Sequence, residues 1–394
     1  MLDGLKVVDL TRLLPGPLCT MILGDYGAEV VKVEDPALGD PTRAVGRSAD
    51  EEGLFFKILN RNKRSICLDL KKAAGIEIFR RLVNRGDVLV EGFRPGVMRR
   101  LGLDYEALKE TNPGLVYVSI SGYGQEGIYR QRAGHDLNYT ALAGLLSLSS
   151  APGEGPVMPA VQIADIAGGS LMALSGIMMA LYRRSISGAG SYVDVSMTRA
   201  LLPWLSYAAA YLSDPEMLPR RGQGHITGAF ACYNLYETAD GKFMSLGALE
   251  PVFWQNFCVA VGRPDWAPLQ YEQEKRLDLI EAVRTMFKAE KREKWIALFA
   301  AVDACCEPVL DLKEAVEHPM SRELGFWLKS RREGGGAERQ PGFPLLFSGS
   351  AGEVRFPAPA MGRHTAEILA ELGYRESDIQ NLKETGAINS DCSG

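Results

Sequence analysis

Short runs of β-branched and aliphatic residues alternate with segments of helical period over the first 125 residues. "LKVVDL" (5–10), "AEVVKVE" (28–34), "DVLVEGF" (87–93) and "LVYVSISGYG" (115–124) read as strands, each with Gly or Pro nearby. Their apolar runs are nearly continuous, as in parallel strands covered on both faces. Between them, "GPLCTMILGDYG" (16–27), "KKAAGIEIFRRLVNRG" (71–86) and "PGVMRRLGLDYEALKET" (95–111) carry a helical pattern. Strand and helix in alternation predict right-handed βαβ units and an open parallel sheet, an α/β protein. Ligands of such sheets bind beyond the carboxyl ends of the strands.

After "SYVDVSM" (191–197) the segment "ALLPWLSYAAAYL" (200–212) reads as a long aromatic-rich helix. The pattern then turns antiparallel. "GAFACYNLYETADGKFMSLGAL" (228–249) predicts two strands around Ala239-Asp240-Gly241, since Asp-Gly is a strong hairpin signal. Helical segments follow at 252–262, 276–289 and 291–301. The expected layout is a first part of a large domain (1–199), a linker helix (200–219) and a smaller α+β domain (220–325). "KSRREGGGAERQPG" (329–342) reads as an exposed flexible loop. "HTAEILAELG" predicts a helix with Thr365 as N-cap and Gly373 just past its end.

Composition narrows the field. A chain of 394 residues favours two domains over one core. Its net charge of −5, with no long basic run, argues against nucleic acid and acidic membrane surfaces as partners. The most apolar stretch, "GGSLMALSGIMMALY" (168–182), is too short to span a bilayer and stops at Arg183-Arg184. A strand beginning by Lys6 leaves no room for a signal peptide, so the cytoplasm is the expected compartment. Cysteines at 19, 67, 232, 258, 305, 306 and 392 are odd in number and scattered, with no CxxC. That argues against a disulfide framework and a zinc site, and no metal is expected. Reduced thiols are the simple reading, with a Cys305-Cys306 nucleophile pair as the minor one.

No GxGxxG follows a strand, and there is no P-loop, HExxH or GxSxG. Acids, one well-placed histidine and glycine-rich turns remain. Asp165 sits in the apolar segment "VQIADIAGGSLMALSG"; it is either an N-terminal cap or a carboxylate that is paired or used. Glu250, after a strand and before Pro251, either starts the next helix or serves a site. His135 in "AGHDLNY" is either a satisfied core histidine or a proton carrier.

The order of these blocks resembles the class III CoA-transferase family, which includes formyl-CoA transferase, carnitine CoA-transferases and α-methylacyl-CoA racemase. The likeness runs from "LDGLKVVDLTRLLPGPLCTMILGDYGAEVVKVE" through "LNRNKRSICLDLK", "VEGFRPGVMRRLGL", "YGQEGIYRQRAGHDLNY" and "ADIAGGSLMALSGIMMALYRR" to "YETADGKFMSLGALEPVFW" and "EPVLDLKEAVEHP". It implies a Rossmann-like large domain, a small domain, a C-terminal segment (326–394) returning to the large domain, and a homodimer of interlocked rings. The substrate would be an acyl-CoA, with coenzyme A as part of it and no tightly bound cofactor. The resemblance carries CoA contacts onto Leu14, Pro15, Leu59, Asn60, Arg61, Asn62, Gly92, Phe93, Arg94 and Arg100. Arg94 and Arg100 can offer forked donors to phosphates, the backbone of 59–62 can meet an adenine edge, and Phe93 supplies apolar surface. Relatives often carry an arginine where Asp35 stands here, which leaves Arg43 or Lys63 as substitutes.

Both branches of the family use the aspartate that matches Asp165. In transferases it is a nucleophile that carries CoA as an aspartyl thioester. In the racemase it is one of two proton carriers that work on opposite faces of an enolate. The racemase pattern "GHD-x-NY" matches His135 and Asp136, and its "GA-x-E-P" glutamate matches Glu250, which there supports the charged histidine. Racemases tend to have Asn four positions before the aspartate, where this chain has Val161. The expected activity is epimerisation of a 2-methylacyl-CoA, with CoA transfer as the alternative. Tyr233, Phe243 and Met244 are read as acyl pocket or as plain strand core.

Overall fold

The computed structural model describes residues 1–46, 53–151, 153–214, 218–331, 337–349 and 352–389. The chain divides into two compact units. One comprises Met1–Ala143, Pro159–Leu205 and Leu328–Gly394, the other Gly144–Met158 and Ser206–Trp327. Gly144–Met158, which the sequence reading assigns to the large domain, groups with the second unit.

The larger unit is built on a seven-stranded sheet. Its strands are β1 (Lys6–Leu10), β2 (Glu29–Glu34), β3 (Lys63–Leu68), β4 (Val88–Glu91), β5 (Val116–Ser121) and β6 (Ser191–Ser196), with Ile388–Asn389 added at the edge. The spatial order is Ile388–Asn389, β3, β2, β1, β4, β5, β6. Neighbours are parallel except Ile388–Asn389, which runs antiparallel to β3 with Ile388 opposite Leu68. The chain reverses direction across the sheet between β1 and β4, so a crevice is expected beyond their carboxyl ends.

Both faces are covered, which is why the strands read as continuous apolar runs. Val8, Val31, Leu89 and Tyr117 face Ile78, Phe79, Leu82 and Ile368. Val7, Val30, Val88 and Val118 face Cys19, Leu23, Ala173 and Ile177. β3 lies outside the strands predicted from sequence. Its polar Lys63 and Ser65 are fully buried, so it lacks the apolar run that marked the others.

The helix at Ala164–Ser187 is longer than the apolar stretch noted in the sequence and continues past Arg183-Arg184. It ends at Gly188, whose φ of +72° supplies a left-handed cap. By length and composition it would also cross a membrane, yet Ala164, Ala173, Ile177 and Ala180 pack into the sheet core. The predicted helix at 95–111 is two short ones, Val97–Arg100 and Tyr105–Lys109, parted where Gly102 takes φ +67°. The predicted helix at 200–212 is a 3-10 segment, Arg199–Leu205, followed by one turn, Ser206–Ala209. Pro203 lies inside the first segment and has no N–H to continue an α-helix. Thr365 is the first helical residue of Thr365–Glu371 rather than its cap, because its hydroxyl is engaged with Gly362 O and Asn389 O.

The smaller unit holds an antiparallel sheet of β7 (Tyr233–Glu237), β8 (Phe243–Gly247) and β9 (Cys306–Val309). The β7–β8 connection spans residues 238–242, longer than a two-residue turn, with Gly241 at φ +74°. Trp254, Phe257, Phe287 and Trp295 form its core. The segment read as a flexible loop at 329–342 instead contributes to a two-stranded ribbon, Trp327–Arg331 with Ala337–Pro341; residues 332–336 lie outside the described residues.

Candidate active site

Asp165 sits in the first turn of the Ala164–Ser187 helix, whose opening Ala164–Leu171 stretch is π-helical. Such local widening is common at functional sites. The two glycines after it explain the placement. A Cβ on Gly168 would lie 2.6 Å from Met197 O, and one on Gly169 would lie 2.7 Å from Pro15 Cβ. Only glycine lets this helix touch the end of β6 and the start of the Pro15–Asp25 helix together. The Ser170 hydroxyl fastens that contact by donating to Pro15 O (2.7 Å).

The plain capping role does not hold, since Ile163 is the N-cap. Among the described residues the Asp165 carboxylate has no hydrogen-bond partner. Burial first, and then the Asp136 charge, push its pKa up to about 6, with His135 opposing. A half-buried carboxyl that titrates near neutrality is suited to proton transfer or nucleophilic attack.

The "GHDLNY" stretch folds around one tyrosine. His135 is the N-cap residue of the Asp136–Leu142 helix, and its N–H donates to Asn138 Oδ1 (3.0 Å). The Tyr139 hydroxyl donates to Gly134 O, and its ring lies where a Cβ on Gly122 or Gly134 would sit, 2.4 Å and 2.7 Å away. Tyr139 is thus buried beneath the loop and braces the backbone just before His135. The His135 side chain is exposed, which rules out the core-histidine reading. Asp136 turns the other way and accepts the Asp165 N–H at Oδ1 (3.0 Å). His135, Asp136 and Asp165 therefore come together. Tyr139, Asn138 and the two glycines were not singled out in the sequence, although all but Gly122 lie within the quoted motif.

Glu250 belongs to the smaller unit. It is the N-cap residue of Pro251–Ala260, its carbonyl accepts from Phe253 N and Trp254 N, and it is exposed. The three acyl-pocket candidates part company. Met244 is fully buried core, Phe243 is exposed, and Tyr233 lines a cavity of about 990 Å³ within this unit together with Arg276, Arg284 and Cys305.

The CoA candidates divide as well. Leu14 and Pro15 follow β1, and Gly92, Phe93 and Arg94 follow β4, so both segments lie where the sheet order reverses. Arg94 and Arg100 are exposed. Arg12, not singled out in the sequence, places its guanidinium 5.2 Å over the Phe93 ring. Leu59, Asn60, Arg61 and Asn62 are buried. Arg61 forks onto Asp25 and donates to Pro341 O (2.9 Å). Asn60 donates to Phe56 O, and Asn62 to Asp25 and Glu353 O. The expectation that Arg43 or Lys63 replaces the missing phosphate arginine fails. Arg43 forks onto Glu34 and stacks on Phe56, and Lys63 is completely buried against Asp9. The Asp35 carboxylate accepts from Ala37 N and Leu38 N and caps its own turn.

Among the described residues no cluster of potential metal ligands occurs, and Cys19, Cys67, Cys232, Cys258, Cys305 and Cys306 are all free. Cys306 is buried, Cys305 is exposed, and burial pushes both thiols up, away from a nucleophilic role. Cys392 lies outside the described residues.

Comparison with known proteins agrees along the whole length. Human α-methylacyl-CoA racemase is 36% identical over 394 residues, covering 99% of this chain and 98% of that one. Human succinyl-CoA:glutarate CoA-transferase is 33% identical, covering 98% and 90%. A solved CAIB/BAIF family protein from Brucella suis is 30% identical and superposes with a TM-score of 0.81, covering 94% of this chain and 99% of that one. The family description CoA-transferase family III matches residues 2–365. The chain belongs to CoA-transferase family III.

Proposed function

We propose that this protein epimerises the α-carbon of a 2-methylacyl-CoA by 1,1-proton transfer through an enolate. The observation that carries the reading is the pairing of a half-buried Asp165, its pKa raised to about 6, with an exposed His135 held next to it through Asp136. Inversion needs a base on one face of the carbon and an acid on the other, each working near neutral pH. Asp165 and His135 are the two carriers. Asp136 is a positioning residue that fixes the Asp165 backbone and helps to raise the Asp165 pKa. Glu250, which matches the glutamate of the racemase branch, is the remaining candidate acid. The name of the human relative, α-methylacyl-CoA racemase, supports the same substrate class.

CoA is bound as part of the substrate, without a resident cofactor. Leu14, Pro15, Gly92 and Phe93 line its path, Arg94 and Arg100 take its phosphates, and 59–62 contribute backbone only, because their side chains are committed to the interior. The working form is a homodimer of interlocked chains. The exposed apolar residues Met179, Tyr182 and Ile186 on the Ala164–Ser187 helix support a covered surface there.

CoA transfer through an aspartyl thioester is the second reading. Val161 in place of the racemase asparagine and an Asp165 carboxylate with no hydrogen-bond partner among the described residues favour it. One assay separates the two. A chiral 2-methylacyl-CoA is incubated in D₂O without an acceptor acid. Deuterium at the α-carbon with loss of chirality is the expected result. No deuteration, together with an acceptor-dependent adduct on Asp165 trapped by hydroxylamine, would establish transfer instead.

A further inference from the structure

The turn between β1 and the Pro15–Asp25 helix contains Leu13 at φ +68°, a left-handed conformation that a non-glycine residue adopts at a cost. Its neighbours lie against the catalytic helix. Pro15 O accepts from Ser170, five residues after Asp165, and Pro15 Cβ is what a side chain on Gly169 would strike. Something must hold this strained turn, and a buried set of charges surrounds it.

Lys32, fully buried on β2, donates to Thr11 O (2.9 Å) and pairs with Asp40 Oδ2 (2.9 Å). Asp40 Oδ1 accepts the Leu13 N–H (3.3 Å) and is itself fixed by Thr42 N and Oγ1. The Lys32–Asp40 pair thus grips the chain on both sides of Arg12. A second pair backs it. Lys63 Nζ lies 2.9 Å from Asp9 Oδ2 and donates to Pro17 O (2.9 Å) and Asn60 Oδ1 (2.8 Å), while Asp9 accepts from Thr11 N and Thr20 Oγ1. Lys32 is spent on the Thr11 carbonyl and Asp40, and Lys63 on the Pro17 carbonyl in the first turn of the helix and Asp9, so neither is available to a phosphate.

We infer that Lys32 and Asp40 are positioning residues that clamp the Leu13–Pro15 turn in its left-handed form, backed by Asp9 and Lys63, so that the turn is preset for the CoA arm beside Asp165. The clamp rests on the reading that Leu14 and Pro15 meet CoA. The strain is the informative part. Leucine, not glycine, stands at the left-handed position, and buried charges hold it there.

The test compares the wild-type protein, Lys32→Met with Asp40→Asn, Leu13→Gly alone, and the three changes together. Hydrogen exchange is followed on the peptide spanning residues 11–20, and free CoA is titrated. In the uncharged pair the Leu13 and Leu14 amides should exchange about tenfold faster than in wild type, well below the unfolding temperature. The CoA Kd should rise about tenfold. Adding Leu13→Gly should recover most of that affinity, because glycine enters the left-handed region freely. A residue that only stabilised the fold would lower Tm without this rescue. Asp40→Asn alone serves if the pair does not fold, and should move exchange the same way by less. Unchanged exchange at Leu13 and Leu14, or lost affinity that Leu13→Gly does not restore, would overturn the clamp. If wild type binds no CoA, the CoA reading falls and exchange alone judges the clamp.

Discussion

Asp165 titrates where catalysis can use it, and the sign of its pH dependence follows. Burial and Asp136 raise its pKa to about 6, so below that pH the carboxyl is protonated and, in the proposed epimerisation, cannot accept the α-proton. In the direction where Asp165 is the base, kcat/KM should rise through about pH 6 and then level. Asp136→Asn keeps an oxygen for the Asp165 N–H but removes the like charge, so the limb should move to lower pH. Asp165→Asn should cost about 10³-fold or more in turnover with CoA binding retained. A steady-state pH profile for each variant checks both statements. A near-normal Asp165→Asn enzyme would exclude proton transfer and acyl transfer alike. His135→Ala should abolish deuteration from one face only.

Glu91 shows the same physics at the end of β4. It is buried and accepts from Ser119 Oγ and from Phe93 N (2.7 Å). Burial pushes it up to about 7, against the Ser119 and Phe93 hydrogen bonds. The folded protein therefore holds this proton where the unfolded chain has released it. Stability should fall as pH rises from about 4.5 to 7, by about 3 kcal/mol at most, and level above. Glu91→Gln should remove that part of the slope in denaturant titrations. At this scale the sequence singled out His135, Asp136 and Asp165, and the structure brings the three together. The sequence was misleading for Arg43 and Lys63. A basic residue in a sequence looks the same whether it faces phosphate or a buried carboxylate such as Glu34 or Asp9.

Elements were legible where both faces of the sheet are apolar. β1, β2, β4 and β5 each lie between two layers of side chains, so their runs are unbroken. β3 was missed because an ion pair to Asp9 and a hydrogen bond to Glu34, not apolar neighbours, cover Lys63 and Ser65. The Ala-Gly-Gly after Asp165 was noted, but not its reason, which is the approach of Met197 O and Pro15. Gly168→Ala puts a methyl against a backbone carbonyl that cannot swing away. It should destabilise by about 1–3 kcal/mol and lower kcat as the Asp165 helix shifts. Thermal unfolding and kinetics on one preparation would test it. Gly188→Ala, at a cap with open space but φ +72°, should lower Tm yet leave kcat unchanged.

The whole molecule divides along lines the sequence reading drew in part: a parallel α/β body and an antiparallel insert were both visible from period alone. The grouping of Gly144–Met158 with the second unit was not, since this Gly-, Ser- and Pro-rich segment carries no strand or long-helix period. If the chains interlock as proposed, the dimer should persist on dilution, because linked rings separate only by unfolding. Sedimentation that shows a concentration-dependent monomer would refute the linkage.

The antiparallel edge strand has a consequence for how the protein is made. Ile388–Asn389 pairs with β3, and Arg355 reaches back to Gly24 O and Ala28 O while its N–H satisfies Asn62. Asn62 and Arg61 also take Glu353 O and Pro341 O. All of these partners leave the ribosome long after β3. At roughly 5–20 residues per second the delay is on the order of 15 to 60 s. During that interval buried polar groups of β3 and its loop lack their final partners, and the edge of the nascent sheet is open to strangers. A chain stopped after residue 350 should stay chaperone-bound or aggregate, even though every parallel strand has already been synthesised. Supplying residues 351–389 as a separate polypeptide should restore soluble protein.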